Sequence, residues 1–587
     1  MKIPQVLLLT SMLGFVLGSA SAPAQTLYFQ QAEDAKAAFK PLDDADLEAA
    51  RTKLAQSVIA AENLLRRTPN QGAGWMEYLQ WNGVQKQLSA GTKPDVKAAR
   101  ETLRLLGSGA EGLEKPEMQR AATAIEEYLG VASFAPAAAD RQEKSFTAAV
   151  DGLAELLADD YRLKTARGSY EAERRLALLA GLEPTGRGKS FAQRVRRRYG
   201  RPNLHLEVQG SLLNRLVARP VADTAPINDT ILGTRVRGSG ATRGNLTVRT
   251  LPSYDRARLA FHLAGATRTN TRGVNGPVAI HTLGTTSFQA TKVVELSDRT
   301  FRVLPASAQA STRSRTQSVK KVGGGLGSRI VEKIARKRVA EKKGQADAIA
   351  SSKAEARVEA RLNEQLDRQI IEARRRYDDA LSKPMRRRRA APRHLIQQTT
   401  SGSLVVDAVQ ADKGQLAAWE SSPTTVSAPL SATLHQTAVN NLLDAYLGGA
   451  TLRRDSVEEP TKINVVTPPW LKLQAEKPAP GKEFKPWSLR LRAVRPVSVE
   501  FAASKITAII HAAEMKVEEK SYKSWDLIAV YKPELVNGSW HLIRQGDIDV
   551  LPTRFDPNDG KKWPVAMSAC GITSRRFLTK RTVSRAQ

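Results

Sequence analysis

Residues 204–216 read LHLEVQGSLLNRL and residues 430–442 read LSATLHQTAVNNL. Each opens with apolar residues at alternate positions: Leu204, Leu206 and Val208 in one, Leu430, Ala432 and Leu434 in the other. Alternation of this kind puts the side chains on one face of a strand. A hydroxyl residue then precedes an apolar run, Ser211 in the first and Thr437 in the second. That is the pattern of a helix N-cap, whose oxygen takes up free amides of the first turn. The two stretches keep one offset of 226 residues. Further on, Pro277-Val278-x-Ile280 matches Pro496-Val497-x-Val499 at offset 219, and Phe288-x-Ala290 matches Ile506-x-Ala508 at offset 218. Matches in chain order point to a duplicated unit. The alternative is two unrelated β segments sharing ordinary alternation.

Outward from these stretches the chain changes character. Leu47, Leu54, Val58, Ala61 and Leu65 recur at three- and four-residue steps, a helical face. Further helices are expected at 74–88, 95–107, 116–129, 140–157 and 161–181, separated by Pro69, Gly72, Gly91, Pro94 and Pro116. From about Pro202, short alternating runs between Gly, Pro, Asn and Asp predict an antiparallel meander. They include Leu246 with Val248, Leu259 to Leu263, Val278 with Ile280, and Phe301 with Val303. The expected class is α+β: an N-terminal helical bundle or short solenoid, then two helix-plus-antiparallel-sheet units separated by a long basic helix. The expected boundaries are a signal peptide at 1–24, a helical domain at 25–200, a first α+β unit at 201–312, a basic helix and linker at 313–393, a second unit at 394–551 and a basic tail at 552–587.

The first residues, MKIPQVLLLTSMLGFVLGSASAPAQ, give a positive start, an apolar run from Val6 to Leu17 and a small-x-small site at Ala22-Pro23-Ala24. The run is shorter than the roughly 20 residues of a membrane span. A cleaved export signal is expected, hence a secreted or periplasmic protein. Cys570 is the single cysteine, so packing and not disulfides must hold the chain together. The net charge of +31 favours anionic partners, either an envelope polymer or lipid headgroups, with peripheral membrane contact. Aromatics at 5% argue against a base-stacking surface for nucleic acid.

Residues 313–393 concentrate the charge, with 24 Lys and Arg against 10 Asp and Glu. Ser328 is expected to start a helix reaching about Leu381, interrupted at Gly344, with Val358, Leu362, Leu366 and Ile370 as its narrow apolar stripe. Pro384 is expected to close it ahead of Arg386, Arg387, Arg388 and Arg389. Together with Arg374, Arg375, Arg376 and Arg393, these form the expected anionic-surface contact. The plain alternative is a solvated linker.

Chemistry-bearing motifs are few. Gly186-Arg187-Gly188-Lys189-Ser190 lacks the first glycine of a phosphate loop, because Glu183 stands there. His205, His262, His281, His394, His435, His511 and His541 show no metal-ligand spacing, and no Gly-x-Ser-x-Gly elbow occurs. Trp470, Trp487, Trp525 and Trp540 read as sandwich core, or else as the lining of a glycan or lipid groove. No cofactor, metal or catalytic constellation is expected.

The segment HLIQQTTSGSLVVDAVQADKGQLAA (394–418), with the basic helix before it, resembles a class of exported proteins of unknown function found in planctomycetes. The duplicated layout of helix plus meandering strands is similar in outline to tubular lipid-binding proteins, which wrap a curved sheet around a long helix. The expected function is a non-catalytic envelope protein attached to anionic surfaces. The alternative that the second resemblance implies is a periplasmic lipid-binding or lipid-transfer protein with an apolar groove in each unit.

Overall fold

The computed structural model describes residues 22–67, 71–89, 91, 93–298, 300–323, 328–421, 428–466 and 484–553. The expected leader through residue 21, Trp470, Cys570 and the tail from residue 554 lie outside them. The fold is α+β. Among the described residues no helix is long and apolar enough to cross a membrane. The contacts divide the chain into two compact units, one of residues 200–411 and 417–442, the other of residues 1–199, 412–416 and 443–587.

The second of these begins with helices, the longer ones being Ala22–Ala37, Asp44–Arg66, Val96–Leu106, Pro116–Ala132, Ala139–Ala158, Ala166–Leu182 and Lys189–Arg198. The stripe from Leu47 to Leu65 is buried, as its spacing requires. Asp43 caps that helix and Asp46 reaches back to the Asp43 amide, a reciprocal cap. Gly186 and Gly188 both take left-handed backbone (φ 85° and 65°), which glycine adopts without a Cβ penalty. Between them Arg187 grips both carboxylate oxygens of Asp46 at 2.7 and 2.8 Å. The glycine-rich loop is thus a turn that ties two helices.

In the other unit, β1 (Leu204–Gln209) is followed by a short helix, Gly210–Val217. Then come β2 (Arg219–Ile231), β3 (Thr234–Leu251), β4 (Ala257–Asn275), β5 (Val278–Leu296), β6 (Phe301–Val303) and β7 (Ser307–Lys321). The long helix spans Ser328–Tyr377, about 75 Å at ~1.5 Å per residue. After it stand β8 (His394–Thr399), β9 (Ser403–Val409) and β10 (Leu430–Leu434), the last leading into the helix Gln436–Leu447. Strands β2 to β7 make one antiparallel sheet in the order β2-β3-β4-β5, with β6 and β7 along the far edge of β5. A second sheet runs β10-β1-β9-β8.

The two matching stretches therefore lie side by side. Leu204 pairs with Leu434, Leu206 with Ala432 and Val208 with Leu430. Leu206 faces its own repeat counterpart, and the flanking pairs exchange under the 226-residue offset, so a local two-fold axis passes between β1 and β10. One sheet thus takes strands from both segments expected as separate units. The later matches do not fall on equivalent elements: Val278 and Phe288 share the single strand β5, whereas Val497 and Ile506 stand on two strands of a hairpin. Nor are Ser211 and Thr437 N-caps. The first helix starts at Gly210 after Gln209, without a side-chain cap, and Thr437 lies inside its helix with its hydroxyl bonded to His435 and Asn203.

Two expectations for the long helix also need correction. Gly344 does not interrupt it. Pro384 does not close it either, because the chain passes through a π turn, Asp378–Ser382, into a last helical segment, Lys383–Arg387. The wider turn, with the Lys383 amide bonded to the Asp378 carbonyl, lets the proline sit at the start of a new segment, where its missing N–H costs nothing.

The remaining strands are β11 (Thr451–Arg454), β12 (Lys462–Ile463), β13 (Trp487–Leu491), β14 (Val497–Ala502), β15 (Lys505–Val517), β16 (Lys520–Val536) and β17 (Ser539–Pro552). They form a sheet in the order β12-β11-β13-β15-β16-β17, with β14 also on β15. Ala512, Leu527, Ala529 and Ile548 are its buried cluster, and Trp525 packs against it half-buried. Trp540 is 71% exposed and is not core. Arg495, 2% exposed, ties this sheet's β13–β14 connection to the helix Ala166–Leu182 through Glu173, and its amide donates to Asp444 at 2.8 Å.

Candidate ligand cavity

A cavity of about 1090 Å³ lies between the long helix and the sheet β2–β7. It exceeds the roughly 300–1,000 Å³ usual for ligand sites. Its helix wall runs from Val331 to Gln365, about 50 Å at ~1.5 Å per residue, which suits an elongated guest.

The two edges of the cavity are built differently. Along β7, alternate backbone amides donate to helix side chains four residues apart. Ala306 donates to Asn363, Ala308 to Glu359 and Ala310 to Glu355, each at 2.9 Å. Thr312 donates to Ser351 at 2.8 Å and Ser314 to Asp347 at 3.4 Å. The helix thus satisfies amides that an edge strand would otherwise leave bare. Along β2 the link consists of long side chains instead: Lys353 and Arg357 both reach Asp229, and Arg361 reaches Asp223 at 2.5 Å. Burial raises the Asp229 carboxyl, but the Lys353 hydrogen bond, the Thr230 amide and Arg357 together hold it below the usual carboxylate range. Asp347 on the other edge is lowered in the same way, burial being outweighed by Lys343 and Ser314.

Strand register arranges the sheet wall in cross-strand rungs. At the base, Leu246, Leu362, Leu366 and Ile370 plug the space as a packed core. Next stand Val221, Gly244, Gly265 and Phe288 in one rung. A Cβ on Gly265 would meet the Phe288 ring at 2.9 Å, so glycine makes the room. The following rung is Asp223, Thr242, Thr267, Thr286 and Thr312. Here Thr242 and Thr267 share a hydrogen bond of 2.8 Å, as do Thr286 and Thr312. In each pair one hydroxyl donates to the other, and the second keeps its own O–H for another acceptor. Thr269, Thr271, Thr282 and Thr316 extend this hydroxyl belt along the wall. The helix wall opposite carries an aliphatic stripe, Val331, Ile334, Val339, Ala350, Ala354 and Val358, flanked by the cations Arg338, Lys342, Lys353, Arg357 and Arg361. Ile334 lines the cavity yet is 54% exposed, so the cavity opens near the start of the helix.

The arginines singled out in the sequence do not form one open patch. Arg374, Arg375 and Arg376 are exposed, but each lies against a helix acid, at 3.8 Å from Asp378, 3.7 Å from Asp379 and 3.2 Å from Glu372. Arg374 also covers the Phe301 ring at 5.7 Å. Arg386 is exposed; Arg387, Arg389 and Arg393 are half-buried; all four have partners. Arg388, the C-cap of the last helical segment, is 5% exposed and offers no surface contact.

Strand pairing also assembles a group that spacing does not reveal. Ser498 Oγ lies 2.9 Å from His511 Nε2, and His511 Nδ1 lies 2.8 Å from Asp526. These residues come from three adjacent strands, β14, β15 and β16. Ser498 is 1% exposed, and a hydroxyl so enclosed leaves no approach for a substrate carbonyl. Thr553 donates to Asp526 at 3.1 Å and Tyr170 stacks on His511. The group reads as a polar tie between strands.

No protein-family model and no curated protein matches the chain. Among solved structures, a crystal structure of lipopolysaccharide binding protein is 8% identical, covering 60% of this chain and 85% of that one, with a TM-score of 0.19. A likeness of that size says nothing about the ligand of this chain.

Proposed function

We propose that this protein binds an elongated amphiphile, such as a lipid, in the cavity between the long helix and the sheet β2–β7. The observation that carries this reading is the cavity itself, about 1090 Å³ along one continuous helix face. The aliphatic stripe of the helix wall and the Phe288 end suit a hydrocarbon chain, and the cations beside the stripe suit an anionic head. The threonine belt suits a ligand that also carries hydrogen-bonding groups. The leader-like start of the sequence supports a place in the cell envelope, and the role is binding rather than catalysis.

Ala350 lies mid-wall, so Ala350→Trp fills the cavity from the helix side. The expected result is at least a tenfold loss of affinity for an apolar fluorescent probe, together with loss of co-purifying lipid in native mass spectrometry. Melting should stay within a few degrees of the parent. Equal probe binding by variant and parent would sink the proposal.

A further inference from the structure

The sheet that encloses the cavity has a second face, turned away from the helix. Its outward residues follow from the alternation: where Thr267, Thr269 and Thr271 point inward, Arg268, Asn270 and Arg272 point outward. On β3 the outward set includes Arg235, Arg237 and Arg243, and on β7 Arg313 and Arg315. All are exposed. Strands β3, β4 and β7 contain no Asp or Glu at all, and β5 has only Glu295 at its base end. Among the described residues none of these seven arginines has an ion pair. Arg237 and Arg272 stand directly opposite each other in the register.

Like charges facing across a strand pair destabilise a sheet. No carboxylate of these strands stands beside the pair, so an anionic partner would relieve it. The cations on these rungs are arginine in preference to lysine, the side chain whose planar fork fits phosphate oxygens in pairs. Val274 and Leu283 are 40% and 41% exposed on the same face, between the arginines. No Phe, Tyr or Trp points outward from these strands; the outward rings are the imidazoles of His262 and His281, a small surface for base stacking. Cationic and aliphatic groups side by side match a headgroup layer better than a soluble polyanion.

We infer that this outward arginine face docks on an anionic lipid bilayer, independently of what the cavity holds. The face, and not the arginines at the end of the long helix, makes the main contact.

The test is flotation of the full-length protein with phosphatidylcholine vesicles containing phosphatidylglycerol, at low and high salt. Each basic residue at a charged membrane contributes about fivefold in affinity. Both R237S/R272S and R268S/R313S should therefore bind about tenfold or more weakly at low salt. R374S/R375S/R376S should bind like the parent. R237S/R272S should melt no lower than the parent, because it removes a repulsion. Undiminished binding by both pairs, loss confined to the helix variant, or a lower melting point for R237S/R272S would overturn the inference. So would failure of the parent to float, or a preference for short duplex DNA over vesicles.

Discussion

Gly344 sits on the solvent side of the long helix, and a Cβ built there meets no atom within 4 Å. Its backbone is helical, so alanine fits without strain and restricts only the unfolded chain. Gly344→Ala should raise stability by about 0.5–1 kcal/mol in urea unfolding; no gain would mean that this stretch of helix does not unfold with the rest. Glycine in the sequence pointed to a break here, as propensity alone suggests, but propensity is a weak prior once a helix face is packed. At the same scale, Arg388 shows the limit of reading a charge run as surface. Only Arg386 and Arg387 lie on helical backbone; Arg388 caps the segment and Arg389 takes left-handed backbone (φ 55°), so the run turns and Arg388 faces the protein.

The elements were unequally legible. The N-terminal helices declared themselves through apolar residues three and four apart, and these are buried as expected. The long strands declared only short stretches of themselves, at Leu246 with Val248, Leu259 to Leu263 and Val278 with Ile280, because much of the inner face between these is threonine and glycine. Thr-Arg-Thr-Asn-Thr-Arg at 267–272 alternates strictly, yet the alternation is hydroxyl against charge and escapes a search for apolar period. The β7 seam was invisible for another reason: its partners are glutamates and polar residues that look like an ordinary solvated helix face. Removing one acceptor strands a strand amide. Glu355→Ala should cost about 1–3 kcal/mol. Glu364→Ala, which loses only an exposed pair with Arg368, should cost less than about 0.5 kcal/mol. Equal effects in denaturant titration would refute the seam as a stabilising element.

On the scale of the molecule, the sequence divided the chain by stretches while the fold divides it by contacts. Residues 412–416 leave one unit and residues 417–442 return to it, an excursion that no composition shift announces. The local two-fold between β1 and β10 was legible as an offset, but that the two copies pair with each other was not. Acid supplies a test of the cavity's closure as a whole. Asp229 and Asp347 sit on opposite edges with carboxyls held below their ordinary range, so their contribution is complete above the unfolded value of about 3.9 and is lost as pH falls through their own lower values. Probe retention should stay level from neutral pH to about pH 4 and fall only below it. A loss centred near pH 6 would assign closure to other groups.

The β7 seam also behaves as a vernier. Four helix residues advance about 6.0 Å while two strand residues advance about 6.6 Å, so the two scales slip by roughly 0.6 Å at each mark. The amide bonds nevertheless hold at 2.8–2.9 Å from Ala306 through Thr312, and at Ser314 the amide reaches 3.4 Å while the hydroxyl also holds Asp347. Over these five marks the slip adds up to about 2.4 Å, which acceptors of different length, Asn363, Glu359, Glu355, Ser351 and Asp347, take up. Beyond that point, among the described residues, the helix next meets the strand where Glu332 accepts from the Lys321 amide. Acceptor length along the helix thus works as the adjustment of a fastening that runs from Asn363 to Asp347 and leaves the stretch around Ile334 as the cavity's doorway.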